Sequence, residues 1–182
     1  MYRPLITENP ALNVPSSGIV NETEPLGIRL QCPRCRSEIQ EWDCLACAFH
    51  LRYDRGVVHA LPLARLMHYA RFIEDYERIR AAEGRGSESD DFYLSLPYRD
   101  ASGRNDNQWK IRACSYDYMI KLLLWPDVAK GGRILDLGAG NCWMSFRLAI
   151  AGYNPFAVVL LTNDRDGLGA AADNVARGLR HG

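Results

Sequence analysis

The chain has 182 residues, and its 22 Lys and Arg residues balance 22 Asp and Glu residues, so the formal net charge is zero. This balance argues against a nucleic-acid binder held by bulk positive charge, and 47% hydrophobic with 24% charged residues argues against wholesale disorder. No apolar run approaches the roughly 20 residues that span a bilayer, and the N-terminus lacks a secretory-signal pattern. We therefore expect a cytoplasmic protein without a membrane partner.

The first half of the chain divides into three segments. Residues 1–29 contain four prolines without periodicity, which is typical of a flexible arm. Residues 30–62 contain short strand-like segments, including a hairpin at the turn Asp54-Arg55-Gly56. Residues 63–82 then show apolar residues at helical spacing, with Arg and Glu between them predicted to face solvent. A second helix is predicted at about 108–124, so residues 63–128 are interpreted as a helical linker.

Residues 129–182 alternate between strand and helix patterns. Strands are predicted at 133–137 and 156–161, and helices at 143–151 and 166–180. This alternation predicts a parallel sheet with crossover helices. The expected fold class is therefore α/β, with a small N-terminal cysteine unit, helices, and a partial parallel sheet.

Four of the six cysteines fall within 16 residues, at the spacing Cys-x2-Cys-x8-Cys-x2-Cys; they are Cys32, Cys35, Cys44 and Cys47. Each two-residue gap allows a tight turn that directs both sulfurs at one ion, and four thiolates complete a tetrahedral zinc site. Four sulfurs leave no open position for a substrate, so the predicted zinc is structural. The alternatives are reduced cysteines packed as small hydrophobic side chains, redox catalysis, or replacement of one cysteine ligand by His50.

A glycine loop follows the strand at 133–137, with Asp136 at the strand end and Gly138, Ala139 and Gly140 in the loop. Glycines there let the chain turn sharply and let a ligand approach the backbone. The loop resembles the first motif of class I S-adenosylmethionine-dependent methyltransferases, acid-x-Gly-x-Gly, and implies a Rossmann-like domain. The resemblance implies that Asp136 lies near the methionine amino group and that the glycine loop passes close to the ribose and methionine. Cys142 stands where the family commonly has a third glycine.

The same family usually carries an acid at the end of the second strand, where it binds the ribose hydroxyls. The position 19 residues after Gly140 is the apolar Val159, and the nearest acids downstream are Asp164 and Asp166. Asp164 is therefore the candidate ribose ligand that the resemblance implies. The alternative is that Asp164 is a helix N-cap or a turn residue.

A zinc ribbon followed by such a domain is similar to the bacterial rRNA guanine-N1 methyltransferases. In those enzymes the segment before the first motif often folds over the cofactor, which makes Tyr93, Trp109 and Arg112 candidates for a cofactor lid. The ordinary alternatives are Trp109 as a core residue and Arg112 as a solvated helix residue.

The resemblance covers roughly residues 30–180 and stops after the second strand–helix unit, so residues 129–182 would be a partial cofactor-binding domain. The motif near the methyl acceptor has no counterpart, so catalytic residues are unknown, and the acceptor could be RNA, a protein or a small molecule. We expect a truncated chain whose sheet a second chain could complete. Two alternatives stay open: a zinc-ribbon module that binds protein or RNA, and a dinucleotide-dependent oxidoreductase. The latter is disfavoured because Trp143 stands where a third glycine is needed.

Overall fold

The computed structural model describes residues 29–86, 89–123 and 129–171. The chain is a mixed α/β protein. Its elements in chain order are β1 (Asp43–Cys44), β2 (Phe49–His50), β3 (Arg52–Asp54), β4 (Val57–His59), α1 (Leu63–Ala82), α2 (Asp90–Ser95), α3 (Asp106–Leu123), β5 (Arg133–Leu137), α4 (Trp143–Ile150) and β6 (Asn154–Val158). The N-terminal arm up to residue 28 and the last predicted helix beyond residue 171 lie outside the described residues. None of the described helices is both long enough and apolar enough to cross a bilayer.

The cysteine unit consists of two short antiparallel hairpins. Strand β1 pairs with β2, with Cys44 opposite Phe49, and β3 pairs with β4, with Tyr53 opposite Val58. The turn at residues 54–57 connects the second hairpin, as the sequence predicts. The buried residues of this unit are Cys32, Ile39, Cys44 and Leu51. Since two of these four residues are cysteines, the core of the unit is small and depends on the cysteine cluster.

Helix α1 has the predicted bounds, but its apolar stripe is not buried. Leu63 and Met67 are each 70% exposed, and the helix contains no buried residue. Its contacts with the following part of the chain are polar instead: Glu77 accepts a hydrogen bond from Asn163 at 2.8 Å, and Arg80 pairs with Asp166. Charged side chains, rather than the apolar residues at helical spacing, therefore hold α1.

Helices α2 and α3 supply most of the second core. This cluster contains Phe92, Tyr93, Leu96, Trp109 and Ala170, with Trp143 packed against it. Helix α4 is attached to the same region through Arg147, whose Nε and Nη2 donate to the carbonyls of Leu96 and Leu94, each at 2.6 Å. The second core thus joins the helical segment to the strand–helix unit.

The strand–helix unit is a parallel pair with a crossover helix. Strands β5 and β6 pair in parallel from Arg133 opposite Asn154 to Leu137 opposite Val158. Helix α4 packs against β6, and its Leu148 is fully buried. Leu137 is 72% exposed. One face of the two-stranded sheet is therefore covered, and the other is open.

The second strand begins and ends earlier than predicted. The sequence predicts this strand at 156–161, but β6 spans Asn154–Val158. The pairing ends at Val158 because its carbonyl accepts hydrogen bonds from the N–H groups of both Gly138 and Ala139, at 2.8 and 3.3 Å, where the chain leaves β5. Residues 159–161 then leave the sheet.

The next helix also begins later than predicted, at residue 168 instead of 166. Residues 164–166 form a turn instead of a first helical turn. The side-chain oxygen of Asn163 closes this turn by accepting hydrogen bonds from the N–H groups of Arg165 and Asp166, at 3.0 and 2.8 Å. Asparagine commonly forms such local side-chain turns, which compete with a helix start.

The one-sided sheet yields a testable stability difference. We expect Leu148→Ala to lower the free energy of unfolding by about 2–5 kcal/mol, because it opens a cavity under α4. Leu137→Ala should change it by less than about 0.5 kcal/mol, because that side chain faces solvent. Urea unfolding followed by circular dichroism measures both. An equally large loss for Leu137→Ala would show that another surface covers this face.

A buried carboxylate before α3 yields a pH prediction. Asp100 accepts hydrogen bonds from the N–H groups of Ser102 and Asn105 at 2.9 and 2.6 Å and from the Ser102 hydroxyl at 2.6 Å. Burial raises the pKa of Asp100, but the hydrogen bonds lower it by more than burial raises it. The pKa of Asp100 therefore lies below the ordinary value. A depressed folded-state pKa gives stability that is present above the unfolded-state pKa and is lost as the pH falls through the folded-state pKa.

We therefore expect Asp100→Asn to destabilise the protein by about 1–2 kcal/mol at pH 7 and to have a smaller effect in acid, below the ordinary carboxyl pKa of 3.8. Urea unfolding of both proteins across this pH range measures the difference. A difference that does not depend on pH would contradict this account of Asp100.

Candidate functional site

The four predicted cysteine ligands lie together. The Sγ atoms of Cys32, Cys35, Cys44 and Cys47 are all within 4.8 Å of one another. The Cys32–Cys47 and Cys44–Cys47 sulfur pairs are 3.6 Å apart, and the Cys35–Cys44 pair is 3.4 Å apart. A tetrahedron with metal–sulfur bonds of about 2.3 Å has edges of about 3.8 Å. The cluster therefore has the donor atoms and nearly the size to hold a metal ion such as zinc.

The two Cys-x-x-Cys turns have the same backbone geometry. The N–H of Arg36 donates to the carbonyl of Cys32, and the N–H of Ala48 donates to the carbonyl of Cys44, each at 2.8 Å. Arg36 and Ala48 both have left-handed backbones, with φ of 67° and 55°. These are costly for residues with a Cβ, by about 1–2 kcal/mol each. The repeated geometry indicates two equivalent turns that direct two sulfurs each at one point.

The thiols of the cluster differ in acidity. Hydrogen bonds from Ser37 lower the pKa of Cys35 to about 6, whereas burial raises the pKa of Cys47 to about 12. Burial also raises the pKa of Cys32, but backbone N–H groups, including that of Arg34 at 3.4 Å from the sulfur, lower it below its ordinary value. A metal ion binds thiolates, so its binding would release the remaining protons.

His50 lies outside the cluster. Its Nδ1 is 2.9 Å from Oδ1 of Asp43, the residue opposite it in the β1–β2 pair, and both side chains are exposed. Within the described ranges the metal-ligating group consists of the four cysteines alone.

The glycine loop between β5 and α4 is sharply turned and open. Gly138 and Gly140 have left-handed backbones, with φ of 74° and 55°. A Cβ added at either glycine would have no atom within 4 Å. The backbone conformation therefore favours glycine at both positions, and the space beside each is accessible to a ligand. Ala139 between them is buried.

Asp136 lies at the end of β5, where the sequence predicts it, but its side chain is turned inward. It is 3% exposed, and its Oδ2 accepts a hydrogen bond of 2.7 Å from the hydroxyl of Ser145 on α4. Burial and the charge of Asp136 raise the pKa of Cys142 to about 12, so that thiol stays protonated at neutral pH. The carboxylate is thus fixed by the helix after the loop.

Asp164 lies in the turn after β6 and contacts the cysteine unit. Its Oδ1 is 3.2 Å from Nη2 of Arg55, in the turn between β3 and β4. Asp164 lines an open cavity of about 400 Å³ between that hairpin and the loop after β6, together with Glu77 of α1 and Gly169. The glycine loop does not line this cavity. The structure therefore brings Asp164 to the cysteine unit rather than to the glycines.

The three candidate lid residues belong to the second core or lie at its edge. Tyr93 is 7% exposed, and its hydroxyl donates to the carbonyl of Arg165. Trp109 is 5% exposed and meets Trp143 edge to face, with ring centroids 5.8 Å apart. The guanidinium of Arg112 lies 4.5 Å from the centre of the Trp109 ring. Trp109 thus has the position of a core residue.

Several residues around these sites were not found from the sequence. Ser145, which fixes Asp136, is an ordinary polar residue of an amphipathic helix, and only its position one turn into α4 could have indicated a contact with β5. The pairing of Arg80 with Asp166 joins residues 86 positions apart, which no local pattern reveals.

No family model, curated protein or solved structure matches the chain.

The cysteine cluster is tested by metal content. We expect the protein expressed with zinc to hold about one zinc ion per chain, because four thiolates satisfy one tetrahedral ion. Cys44→Ser should lose most of this zinc, as measured by mass spectrometry of the elements after dialysis. Cys114→Ser is the matched control, because Cys114 is exposed on α3 and outside the cluster. Equal zinc in both variants would show that the cluster does not hold the metal.

Proposed function

We propose that the chain is the cofactor-binding portion of an S-adenosylmethionine-dependent methyltransferase that carries an N-terminal zinc ribbon. The observation that carries the proposal is the glycine loop between β5 and α4. Two glycines there have left-handed backbones and open space beside them, directly after a strand of a parallel pair. Ligands of parallel α/β sheets bind at the carboxyl ends of the strands, which is where this loop lies.

The strand–helix–strand unit would be the first part of a Rossmann-like sheet. Its parallel pairing and the crossover helix α4 support this interpretation. The uncovered face, with Leu135 61% and Leu137 72% exposed, fits a parallel sheet whose second face further helices would cover. The partner for this surface would be a second chain that completes the sheet.

The chemistry would be transfer of the sulfonium methyl to a nucleophile: its bond to sulfur breaks as the bond to the acceptor forms, and a thioether leaves. The main work of the protein is then to position the two reactants. Asp136 would balance the charge of the methionine amino group, and Asp164 would accept from the ribose hydroxyls. Binding the ribose would require Asp164 to share its carboxylate with Arg55 or to give up that contact. Tyr93 and Arg112 would border the cofactor. The methyl acceptor would be RNA, a protein or a small molecule.

The zinc would be structural. The cluster uses four sulfur ligands, which leave no position for a substrate. Since the core of the cysteine unit is small, metal binding would supply much of its folding free energy.

The second candidate function is a zinc-dependent module that binds a protein. Leu45, between the last two cysteines, is 75% exposed, and Tyr53 on β3 is 50% exposed. Exposed apolar residues on a small rigid unit favour a protein partner. An RNA partner is less well supported, because Arg55 pairs with acids at Asp54 and Asp164 and is not open to phosphate alone.

Calorimetric titration with S-adenosylmethionine tests the methyltransferase proposal. We expect saturable binding by the zinc-loaded protein. Gly140→Ala should weaken it by about tenfold or more, equivalent to at least roughly 1.4 kcal/mol, because the new Cβ projects into the space proposed for the cofactor. Asp136→Asn should also weaken binding, because it removes the negative charge while an oxygen acceptor for Ser145 is kept.

Gly103→Ala is the matched control. Gly103 also has a left-handed backbone, with φ of 67°, and a Cβ there also meets no atom within 4 Å, but it lies in the loop before α3. Both alanine variants should therefore lose similar stability, by about 1–2 kcal/mol, while only Gly140→Ala weakens binding. No binding by the folded, zinc-containing protein would refute the methyltransferase proposal and favour the protein-binding module.

A further inference from the structure

The guanidinium of Arg85, just after α1, is nearly buried and incompletely paired. Its side chain is 7% exposed. Nε donates to Oε2 of Glu83 at 3.1 Å, and Nη2 donates to the side-chain carbonyl of Gln108. Nη1 is buried and has no hydrogen-bond partner. Among the described residues, it is the one buried side-chain nitrogen or oxygen that lacks such a partner. A buried donor of a charged group without an acceptor is costly, so this position favours an acceptor from outside.

A second guanidinium, that of Arg112, belongs to the face of α3 that Arg85 contacts. Gln108, which holds Arg85, and Arg112 are one turn apart on α3 and so share a face of that helix. Arg112 is half-buried against the Trp109 ring, and it forms no ion pair with an acid in residues 29–86, 89–123 or 129–171. Burial and the positive charges of Arg85 and Arg80 lower the pKa of Arg112, and the negative charge of Asp166 offsets only part of this effect. The contact of Arg85 with Gln108 and the spacing of Gln108 and Arg112 thus bring both cations to one face of α3.

The charges of this region do not balance. Three guanidinium groups, those of Arg80, Arg85 and Arg112, face two paired carboxylates, those of Asp166 and Glu83. Counted over the residues that the structure describes, one positive charge on these partly buried groups has no carboxylate partner, which favours the approach of an anion. Guanidinium groups bind planar or tetrahedral oxyanions through paired N–H donors, so the missing acceptor fits a carboxylate or a phosphate.

We propose that Arg85 and Arg112 form a binding site for a small oxyanion group, a carboxylate or a phosphate, carried by a ligand of this protein. The unpartnered Nη1 of Arg85 supplies the inner donor, and the half-buried guanidinium of Arg112 supplies the side nearer to solvent. Arg80 is engaged by Asp166 and contributes charge only. None of its residues belongs to the glycine loop, although Arg112 is also the residue proposed to border the cofactor, so the test below uses anions without S-adenosylmethionine.

Inorganic phosphate and acetate are the probes. We expect each to raise the thermal unfolding midpoint saturably, above the change produced by sodium chloride at equal ionic strength. Arg112→Gln should raise the apparent dissociation constant of the better-bound anion by about tenfold, because it removes charged donors. Arg71→Gln is the matched control, because Arg71 lies on α1 with its side chain 94% exposed; it should leave anion binding unchanged.

Comparison of phosphate with acetate distinguishes which oxyanion group the ligand carries. Stronger binding of phosphate would identify a phosphate-bearing ligand, and stronger binding of acetate would identify a carboxylate-bearing ligand; either result supports the site. No saturable effect beyond sodium chloride, or an equal effect in Arg112→Gln and the folded parent, would overturn it and leave Arg85 to be satisfied by water. Arg112→Lys provides a second variant that keeps the charge: it should retain part of the binding. Because S-adenosylmethionine is not used, failure of this anion site can be distinguished from failure of the proposed cofactor binding, although Arg112 belongs to both proposals.

Discussion

The ion pair between Arg80 and Asp166 is the contact on which the arrangement of the described chain depends. Arg80 lies in the last turn of α1, and Asp166 lies in the turn after β6. Nε and Nη2 of Arg80 bind the two carboxylate oxygens at 2.5 and 2.9 Å, and the Asp166 side chain is 8% exposed. Burial lowers the pKa of Arg80, but the bonds and charge of Asp166 more than offset this. Because α1 has no buried residue, this pair and the neighbouring Glu77–Asn163 bond fix where the helix lies. Separating a buried pair leaves an uncompensated charge, so its loss would weaken the attachment of α1 to this turn.

The turn after β6 is therefore a junction for parts of the chain that are far apart in sequence. Asn163 and Asp166 of this turn contact α1. Asp164 of the same turn contacts Arg55 of the cysteine unit. These contacts differ in strength: the Arg55–Asp164 pair is half exposed at both ends, and exposed pairs contribute little to stability. Disruption of the cysteine unit would thus loosen one wall of the cavity beside Asp164, while the buried pair would keep α1 in place. The cysteine unit can shape the site at the end of β6 without being needed to build the parallel strand pair.

Local patterns predicted those elements whose causes are local. The bounds of α1 and β5 follow from helical spacing and from glycines on either side of a short apolar strand, and the cysteine cluster follows from ligand spacing. The shift of β6 does not follow from a local pattern, because the strand ends where the N–H groups of Gly138 and Ala139 donate to the carbonyl of Val158, about 20 residues further along the chain. The exposed stripe of α1 is similar: its spacing predicts an apolar face, but which face is buried depends on Glu77 and Arg80 meeting the distant turn. Patterns of period and spacing carry no information on such pairs.

Cys142 shows why a departure from a motif need not alter the backbone. It stands where the resembled motif commonly has glycine, and its backbone is still left-handed, with φ of 60°. Gly138 and Gly140 have open space beside them, whereas Cys142 is 6% exposed, with its thiol held in the interior near Asp136. A side chain at the first two positions would enter the space proposed for a cofactor, but one at the third position enters the protein. Burial of the small thiol offsets part of the roughly 1–2 kcal/mol cost of a left-handed residue with a Cβ. The loop therefore has an open, sharply turned shape that a ligand could approach closely, although its third left-handed residue is a cysteine.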